Sequence, residues 1–464
     1  MLTADQLAVI KATVPVLQEH GETLTRHFYQ RMFEHNPEVR PYFNPAHQRS
    51  GSQQRALAGA ICAYAQHVDS PAALTDAVEL IAQKHVSLGI RPEHYPIVGE
   101  NLLASIKEVL GDAATDDIID AWAAAYGALA DIFIGREADI YQEKEQRFGW
   151  QGFKPFVVAR REAESDNITS FYLRPADGAA LQPHKPGQYI TLRVDVPGAG
   201  PVMRNYSLSN APGDQHFRIS VKREAAPVDG APDGVCSNHL HANLKEGDRV
   251  ALAPPAGEFV LDTREQEAPV GLIAGGVGIT PLLSMLHQCL AASPASRPVT
   301  LIQGALNSRV HPFREEVRAL AAAHPNLQVH VRYSDPLAGD EPGRGYHSNG
   351  LIDEALLDAL TVDGAHYYLC GPEPMLRHVH ALLSRRGVPM DEVVWSGAAV
   401  LSHPKVVRAV HEDYIRAGAD VIITNTFGST RQMLGGAGFG AQVEQVHRRA
   451  VTLAQEARAG TAGG

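Results

Sequence analysis

The stretch from Leu74 to Tyr95 places the strongest constraint on the fold of this chain. Its apolar residues recur at the i, i+3, i+4 and i+7 spacing of a helix face, which comprises Leu74, Ala77, Val78, Ile81, Ala82 and His85. The face is apolar except for its last member, His85, and the neutral imidazole of a histidine is a natural metal ligand. Taken alone, such a histidine is more often a core residue than a ligand, so the neighbouring helices decide.

Two further helix faces flank this one. The upstream face consists of Gln53, Leu57, Ala60, Ile61 and Tyr64, and the downstream face consists of Tyr126, Ala130, Phe133, Ile134 and Glu137. The downstream face ends on a carboxylate, which is costly to bury unless it is paired. A mostly aromatic set of residues precedes both: Phe28, Tyr29, Met32, Phe33 and Phe43. The pattern predicts an all-α domain with a few polar groups aimed into its core.

Residues 1–147 resemble a globin, specifically the globin domain of flavohaemoglobins. The matching positions are Tyr29, Phe43, Gln53, Leu57, Lys84, His85, Tyr95 and Arg136-Glu137-Ala138. The resemblance implies one haem b, with its iron bound by His85 and its pocket lined by Phe43, Gln53, Leu57 and Lys84. It also implies catalytic roles for Tyr29, which would offer its hydroxyl to bound O₂, and for Tyr95 and Glu137, which would hold His85. A carboxylate behind a metal-bound imidazole raises ligand basicity, which suits activation of O₂.

Length and composition bound the remaining possibilities. A chain of 464 residues predicts about three domains. The net charge of −11 argues against nucleic acid and anionic membranes as partners. Four scattered cysteines without CxxC, and the lack of a signal peptide, predict a reducing, cytoplasmic location, no zinc site and non-covalent haem. The uncharged run from Ala268 to Leu286 contains two prolines and four glycines, which favours strand–turn–helix over a membrane span. We therefore expect no stable membrane insertion, and a monomer.

After residue 152 the hydrophobic period changes from helical to alternating. The segment Tyr189–Val194 reads as a half-buried strand. Similar short strands are predicted at Phe156–Arg160, Ile168–Leu173, Arg204–Ser209 and Phe217–Lys222. Pro and Gly clusters separate them, so residues 153–263 are predicted to form a small antiparallel β-barrel.

Three motifs in this barrel resemble FAD-binding signatures of the ferredoxin-reductase-like family. They are Pro186-Gly187-Gln188-Tyr189, Arg204-Asn205-Tyr206-Ser207 and Gly234-Val235-Cys236-Ser237-Asn238. The resemblance implies one FAD, with Arg204 on the phosphates, Tyr206 and Ser207 at the flavin ring, and Ser237 in a second phosphate turn. Tyr189 and Asn205 complete the predicted FAD site. A guanidinium suits bidentate phosphate contacts, and a Tyr ring can stack on the flavin.

Residues 264–385 are predicted to form a doubly wound α/β domain. A buried strand ends in the segment Gly275, Gly276, Val277, Gly278, Ile279, Thr280 and Pro281, which precedes a helix over Leu282–Leu290. The glycines allow close approach of backbone to a phosphate, and Thr280 is predicted to cap the helix with Pro281 in its first position. Strands at Val299–Gln303 and Gln328–Tyr333 alternate with a helix at His311–Ala323. Cys370, Gly371 and Pro372 resemble the nicotinamide-side CGPxxM element of the same family, which implies NADH or NADPH.

The end of the chain departs from the flavohaemoglobin pattern. That family ends its last strand in an aromatic residue, a Glu and then Phe-Gly-Pro against the flavin, whereas here Trp395 is followed by Ser396-Gly397-Ala398. Residues 386–464 instead resemble the N-terminal part of homocysteine S-methyltransferases. A complete barrel of that kind needs roughly 250 residues, and the family's zinc-binding cysteines are absent. We expect an incomplete βα tail, a foreign fragment with no activity of its own.

The resemblance over residues 1–385 implies a nitric oxide dioxygenase with O₂ and NO as substrates. In that reaction NAD(P)H reduces FAD, FAD reduces haem, and haem-bound O₂ converts NO to nitrate. Two alternatives stay open at this point. A haem-based O₂- or NO-binding or sensing protein would form stable oxy-haem without NO turnover. A cofactor-binding fusion product with impaired electron transfer would lack NADH-dependent haem reduction.

Overall fold

The computed structural model describes residues 2–43, 48, 51–70, 74–226, 233–262, 268–292, 297–388 and 449. The tail that resembles homocysteine S-methyltransferases, with Trp395, Ser396, Gly397 and Ala398, lies outside the described residues. The predictions about that tail therefore rest on its sequence.

The N-terminal part of the chain is a helical domain. Its helices are α1 (Ala4–Ala12), α2 (Val14–His35), α3 (Ser52–Gln66), α4 (Thr75–Leu88), α5 (His94–Leu110) and α6 (Asp116–Phe148), with a 3₁₀ turn at Pro37–Tyr42. A capping box between Thr3 and Gln6 starts α1. Thr115 accepts a hydrogen bond from the Ile118 amide to start α6, and Gly149 ends α6 in the left-handed region at φ +83°. Local capping signals therefore set the ends of the first and last helices.

Helix α6 organises this domain by packing against α1, α4 and α5. Its buried residues include Trp122, Phe133, Glu137 and Ile140. By length and composition, α6 is also apolar enough to cross a membrane, and among the described helices it alone meets that criterion. Core helices of globular proteins also meet this criterion, and α6 packs against three other helices of this domain.

A six-stranded antiparallel sheet follows the helical domain. Its strands are β1 (Lys154–Ser165), β2 (Ile168–Pro175), β3 (Tyr189–Val196), β4 (Gly200–Ser207), β5 (Phe217–Lys222) and β6 (Arg249–Leu252), in the order β4-β3-β6-β1-β2-β5. A bridge between Leu208 and Ile219 links the two outer strands, which closes the sheet into a barrel. The short helix α7 (Val235–Asn243) packs against β3 and β5. The predicted antiparallel barrel is confirmed.

A parallel sheet forms the third part of the fold. Its strands are β7 (Val270–Gly275), β8 (Val299–Ala305), β9 (Leu327–Tyr333), β10 (Ser348–Asn349) and β11 (His366–Cys370), in the order β10-β9-β8-β7-β11. Helices α8 (Ile279–Ala292) and α9 (Arg314–Ala323) connect the first three strands. All six residues of β7 are buried, as expected for a central parallel strand. The order reverses beside β7, so the chain places a topological switch point between β7 and β11.

Helices α10 (Glu354–Leu360) and α11 (Glu373–Arg385) belong to a second compact unit. Within it, Nε of Arg386 donates to a carboxylate oxygen of Asp358 at 3.1 Å, and its Nη2 donates to the carbonyl oxygen of Glu354 at 2.9 Å. These bonds tie the end of α11 to α10.

Candidate active site

His85 lies in the last turn of α4 and meets two side chains from other helices. Its Nδ1 is 2.7 Å from Oε1 of Glu137 on α6 and 3.3 Å from the hydroxyl of Tyr95 on α5. The Tyr95 hydroxyl donates to that same Glu137 oxygen at 2.5 Å. Two side chains from two helices thus meet at one carboxylate oxygen of a third helix.

The surroundings of this array are apolar. Glu137 is only 2% exposed, and its second oxygen, Oε2, has no hydrogen-bond partner in the described part of the chain. Burial, together with the hydrogen bond to Glu137, raises the pKa of Tyr95 far above its ordinary value, so this phenol stays protonated. The hydroxyl of Tyr126 donates to the Tyr95 carbonyl at 2.6 Å, and Gly99 leaves room for the Tyr126 ring. Tyr95, itself held by the partly buried Tyr126, therefore fixes the carboxylate behind His85.

A second group of predicted residues surrounds Tyr29 on α2. Tyr29 is 6% exposed, and its ring meets the ring of Phe43 edge-on at 5.6 Å between centroids. Burial raises the pKa of Tyr29, partly offset by a hydrogen bond with Gln53. Leu57 packs against the same apolar cluster. The structure thus brings the Tyr29, Phe43, Gln53 and Leu57 positions together, whereas Lys84 is exposed beside His85.

These residues fit a haem. Because Nδ1 of His85 is engaged by Glu137, Nε2 is the nitrogen left for a metal, and the described residues offer it no hydrogen-bond partner. The His85 side chain is 32% exposed although it ends an apolar helix face. Tyr126 and Leu129 pack against both the cluster around Tyr29 and the cluster around Tyr95. An imidazole with a defined tautomer, aromatic rings and a protonated phenol form the donor set of a haem pocket.

The flavin motifs lie on paired strands. Strands β3 and β4 run antiparallel with Tyr189 opposite Ser207, Ile190 opposite Tyr206 and Leu192 opposite Arg204. Thr191 donates to the side-chain oxygen of Asn205 at 2.8 Å. The ring of Tyr189 lies so close to Gly257 that a Cβ there would be 2.8 Å from it. The two motifs therefore lie beside each other on paired strands.

The third flavin motif is a turn that starts α7. Ser237 accepts a hydrogen bond from the amide of Glu224 at 3.2 Å, and Asn238 donates to the Glu224 carbonyl at 2.7 Å. A Cβ on Gly234 would approach Ser237 Oγ to 2.7 Å. Tyr206 reaches this turn, since its hydroxyl lies 3.6 Å from Cys236 Sγ. The turn presents the N-terminal amides of α7 near Tyr206, as an anionic phosphate requires.

The nicotinamide motifs meet at the switch point of the parallel sheet. Gly278 follows β7 and contacts the end of β11 so closely that a Cβ would lie 2.2 Å from the carbonyl oxygen of Cys370 and 2.7 Å from the Gly371 nitrogen. Gly276 adopts φ +53°, in the left-handed region that glycine tolerates. Ligands of open α/β sheets bind at this position, so the cleft fits a dinucleotide. Pro372 immediately precedes α11.

Some details of the sequence prediction are wrong. A 3₁₀ turn at Gly276–Gly278 runs into α8, which begins at Ile279, so Thr280 lies inside the helix and does not cap it. Its hydroxyl donates to the Val277 carbonyl at 3.0 Å. Pro281 is correspondingly the third helical residue. Ala60 and Ala77, predicted on apolar helix faces, are exposed.

Sequence reasoning also missed two polar residues near the sites. Ser87, two residues after His85, is 1% exposed, and Lys144 on α6 is 6% exposed. Lys144 follows Glu137 by seven residues and so continues its buried helix face, which is a signal that the sequence did carry. Ser87 carries no such pattern.

Comparison with known proteins agrees with this arrangement. Residues 26–133 match the globin family, residues 155–261 the oxidoreductase FAD-binding domain, residues 272–381 the oxidoreductase NAD-binding domain, and residues 379–463 homocysteine S-methyltransferase. The last match supports the resemblance of the tail. It is partial, as expected for a fragment.

Full-length relatives extend the comparison. A flavohemoprotein of Rhodopirellula baltica is 51% identical over 395 residues, which are 85% of this chain and 97% of that protein. A flavohemoprotein of Bordetella pertussis is 50% identical over 392 residues, covering 84% and 96%. A crystal structure of flavohemoglobin from Malassezia yamatoensis with bound FAD and heme aligns with a TM-score of 0.71 at 28% identity, covering 84% of this chain and 97% of that one. With its haem, flavin and nicotinamide motifs in place and this identity over most of its length, the chain belongs to the flavohemoprotein family.

Proposed function

We propose that nitric oxide dioxygenation in this chain depends on the convergence of His85 and Tyr95 on one oxygen of Glu137. The chain is an NAD(P)H-dependent nitric oxide dioxygenase of the flavohemoprotein family, with haem, FAD and NAD(P)H as cofactors and O₂ and NO as substrates. The observation that carries the residue assignment is the pair of hydrogen bonds at Glu137 Oε1, at 2.7 Å and 2.5 Å.

The His85–Glu137 pair sets the character of the iron site. Haem, when bound through Nε2 of His85, supplies O₂ activation and accepts single electrons. Glu137 accepts a hydrogen bond from Nδ1–H of His85, which fixes the tautomer and makes the imidazole a more electron-rich ligand. Tyr95 donates to the same oxygen and so holds the carboxylate in place. Burial in an apolar pocket strengthens each of these charge-assisted hydrogen bonds.

Tyr29 lies in a different apolar cluster from Tyr95. Because its raised pKa keeps the phenol protonated, it serves as a hydrogen-bond donor to a bound diatomic ligand. Phe43 and Leu57 exclude water around it, and Gln53 orients its hydroxyl. Lys84 lies at the solvent edge beside His85, where it can meet the charged periphery of a haem.

The reductase residues divide into two groups. Arg204, Asn205, Tyr206, Ser207, Tyr189 and Ser237 hold the flavin and its phosphates. The Gly275–Pro281 segment with Cys370, Gly371 and Pro372 receives the dinucleotide. A flavin held by the first group would supply the exchange between a two-electron donor and single-electron transfer. We further propose a cytoplasmic monomer with domains at residues 1–147, 153–263 and 264–385, followed by a foreign fragment at 386–464. Size-exclusion chromatography tests the oligomeric state, limited proteolysis tests the domain bounds, and cell fractionation tests the location.

The experiment replaces Glu137 by Gln in the full chain. The amide keeps the size of the side chain but weakens the acceptor, so NO consumption with NADH and O₂ should fall roughly 10- to 100-fold. The Fe–His stretching frequency of the ferrous protein, measured by resonance Raman spectroscopy, should fall as well. Glu143→Gln, which removes an exposed carboxylate of the same helix, is the control. Full activity and an unchanged stretching frequency in Glu137→Gln would refute the assignment.

A further inference from the structure

Lys144 is a buried amine that the reaction described above does not use. Its side chain extends from α6 of the globin, and its Nζ donates to the carbonyl oxygen of Pro255 at 2.7 Å. Pro255 follows β6 of the barrel. Burying an ammonium is costly unless a polar partner receives it. The hydrogen bond of Lys144 therefore connects the globin domain to the flavin domain.

The Pro255 carbonyl that accepts the hydrogen bond of Lys144 begins a segment, residues 255–257, that contacts Tyr189. The next residue, Ala256, pairs with Tyr189 in both directions, with N–O distances of 2.9 Å and 2.8 Å. Gly257 then passes directly against the Tyr189 ring. The position of residues 255–257 therefore determines the position of Tyr189.

Ser87 lies near Tyr189, because helix α4 packs against β3. Burial raises the pKa of the Tyr189 hydroxyl, and the Ser87 side chain lowers it. The Ser87 hydroxyl donates to the Lys84 carbonyl at 2.7 Å. Ser87 belongs to α4, the helix that carries His85. The helix that carries His85 thus contacts the strand that begins with Tyr189.

We propose that Lys144 and Ser87 are positioning residues for electron transfer from flavin to haem. This inference rests on the proposed function, because it assumes haem at His85 and flavin at Tyr189. Both residues are contributed by the globin and both act on Tyr189, one through the backbone of Pro255 and one through the phenol. Neither is part of the nicotinamide motifs. Loss of either loosens the fit between the two cofactor domains and leaves hydride transfer from NADH to flavin intact.

The burial of Lys144 and the charges around it should make the rate of haem reduction depend on pH. Burial lowers its pKa to about 8, opposed by Glu258 and Glu143 and reinforced by Arg147 and Lys185. An ammonium donates to a carbonyl more strongly than a neutral amine does. The contact is therefore strongest below pH 8 and weakens as the pH rises through 8. Haem reduction should slow over that range while flavin reduction does not follow it.

Stopped-flow mixing of the holoenzyme with NADH under anaerobic conditions follows the two steps, and photochemical reduction of the flavin resolves the second step where flavin bleaching by NADH is slow. Lys144→Met and Ser87→Ala should each slow haem reduction about tenfold, as expected for loss of one hydrogen bond to a docked arrangement. Flavin bleaching should keep its rate. Lys144→Arg, which retains a charged donor, should recover part of the loss. The slowing of haem reduction above pH 8 should disappear in Lys144→Met.

Two matched controls and one further readout complete the test. Lys107→Met removes a lysine that also donates to a carbonyl, that of Ala114 at 2.9 Å, but within the globin. Ser105→Ala removes another buried serine hydroxyl of the globin. Both should leave haem reduction unchanged. In oxidised holoenzyme without NADH, hydrogen–deuterium exchange of residues 187–191 and 252–257 should accelerate in Lys144→Met and not in Lys107→Met.

The outcomes separate this inference from the proposed function. Unchanged haem reduction in both Lys144→Met and Ser87→Ala overturns it, as does an equal slowing of flavin and haem reduction. Chemically reduced protein mixed with O₂ and NO bypasses the flavin, so the variants should consume NO in that assay as fast as the parent chain. Failure of the parent chain in the same assay would instead count against the proposed function.

Discussion

Glu137 and His85 lie 52 positions apart in the chain and are joined by a contact of 2.7 Å between Oε1 and Nδ1. This contact assigns the ring nitrogens, because the nitrogen that donates to a carboxylate cannot also bind a metal. His85 therefore offers Nε2 to the haem iron. The chemistry of the globin and that of the reductase can then be tested separately, since their ligands come from different domains.

Replacement of His85 by Ala should abolish haem retention while FAD stays bound. The variant loses the axial ligand, whereas the flavin motifs on β3, β4 and α7 are unchanged. Absorbance of the purified protein at the Soret and flavin bands measures both cofactors at once. His35→Ala, at an exposed position on α2, controls for loss of a histidine. A normal five-coordinate haem spectrum in His85→Ala would show that another residue binds the iron.

Tyr29→Phe should raise the O₂ dissociation rate roughly 10- to 100-fold, as expected from loss of one hydrogen bond of about 1.5–3 kcal/mol to a partly charged ligand. Flash photolysis or stopped-flow displacement of O₂ measures the rate. Tyr64→Phe is the control, because its buried hydroxyl donates to the Ala125 carbonyl at 2.8 Å within the same domain. An unchanged rate in Tyr29→Phe would mean that this phenol points away from the iron.

Arg204→Ala should lower the affinity for FAD, because a phosphate would lose its charge-assisted partner. A loss of about tenfold or more is expected for one such contact. Flavin content after gel filtration and the fluorescence of released FAD measure it, and haem content should stay constant. Arg193→Ala, on the adjacent strand with its guanidinium over the Phe153 ring, serves for comparison. Normal flavin occupancy in Arg204→Ala would count against the phosphate assignment.

The ion pairs of Glu316 predict that acid weakens the contact between the barrel and the parallel sheet. It lies 2.7 Å from both His287 Nε2 and Arg218 Nη1. Burial opposes its ionisation, but the hydrogen bonds from His287 and Arg218 outweigh burial and lower its pKa to about 2. Because the folded-state pKa is depressed, the stabilisation is complete above the unfolded value near pH 4.5 and is lost as the pH falls toward 2.

Glu316→Gln should therefore lower the urea concentration at which half of the FAD is released at pH 7. Breaking the ion pair should lower the free energy of unfolding by roughly 1–3 kcal/mol. The difference from the parent chain should shrink at pH 3.5. Glu315→Gln removes the exposed neighbouring carboxylate and should have little effect at either pH. An equal difference at both pH values would contradict the assignment of the low pKa to Glu316.

The sequence predicted most of the haem site because helical periodicity alone places His85 and Glu137 on apolar faces. A polar group on such a face needs a partner, and the structure supplies each to the other. The flavin and nicotinamide motifs are local in sequence, so their residues could be identified without knowing how the strands pair. The predicted classes of all three domains are confirmed.

The remaining features depend on tertiary contacts that no local pattern encodes. The start of α8 shifts because Gly276 turns in the left-handed region at φ +53° and lets a 3₁₀ turn run into the helix. Helix α9 begins at Arg314, later than the predicted His311, because Phe313 adopts φ +58°. The Pro255 carbonyl that accepts the hydrogen bond of Lys144 lies in another domain, so the role of Lys144 emerges only from the fold. Ala60 and Ala77 are exposed because each predicted helix face includes more residues than the helix actually buries.

The tail provides the most specific prediction. In the family that this chain resembles, the final strand supplies an aromatic residue, a Glu and Phe-Gly-Pro against the flavin. The sequence here has Ser396 and Ala398 near those positions, and neither can stack on a ring or carry a charge. The haem residues Tyr29, Tyr95 and Glu137 are all present. O₂ binding by chemically reduced protein should therefore be normal, whereas hydride transfer from NADH or the following electron step should be slow.

Anaerobic stopped-flow mixing with NADH measures this directly, as sluggish flavin bleaching or sluggish conversion of ferric to ferrous haem. A version whose tail after Trp395 is replaced by the Glu-x-Phe-Gly-Pro ending should recover the fast phase, because the flavin then regains a partner on the face where nicotinamide arrives. A chain simply truncated after Trp395 is the control. It should stay slow if the missing residues are responsible, and it should recover if the foreign tail itself obstructs the site. If the natural chain reduces its haem as fast as the restored version, the residues after Trp395 do not matter and the prediction is wrong.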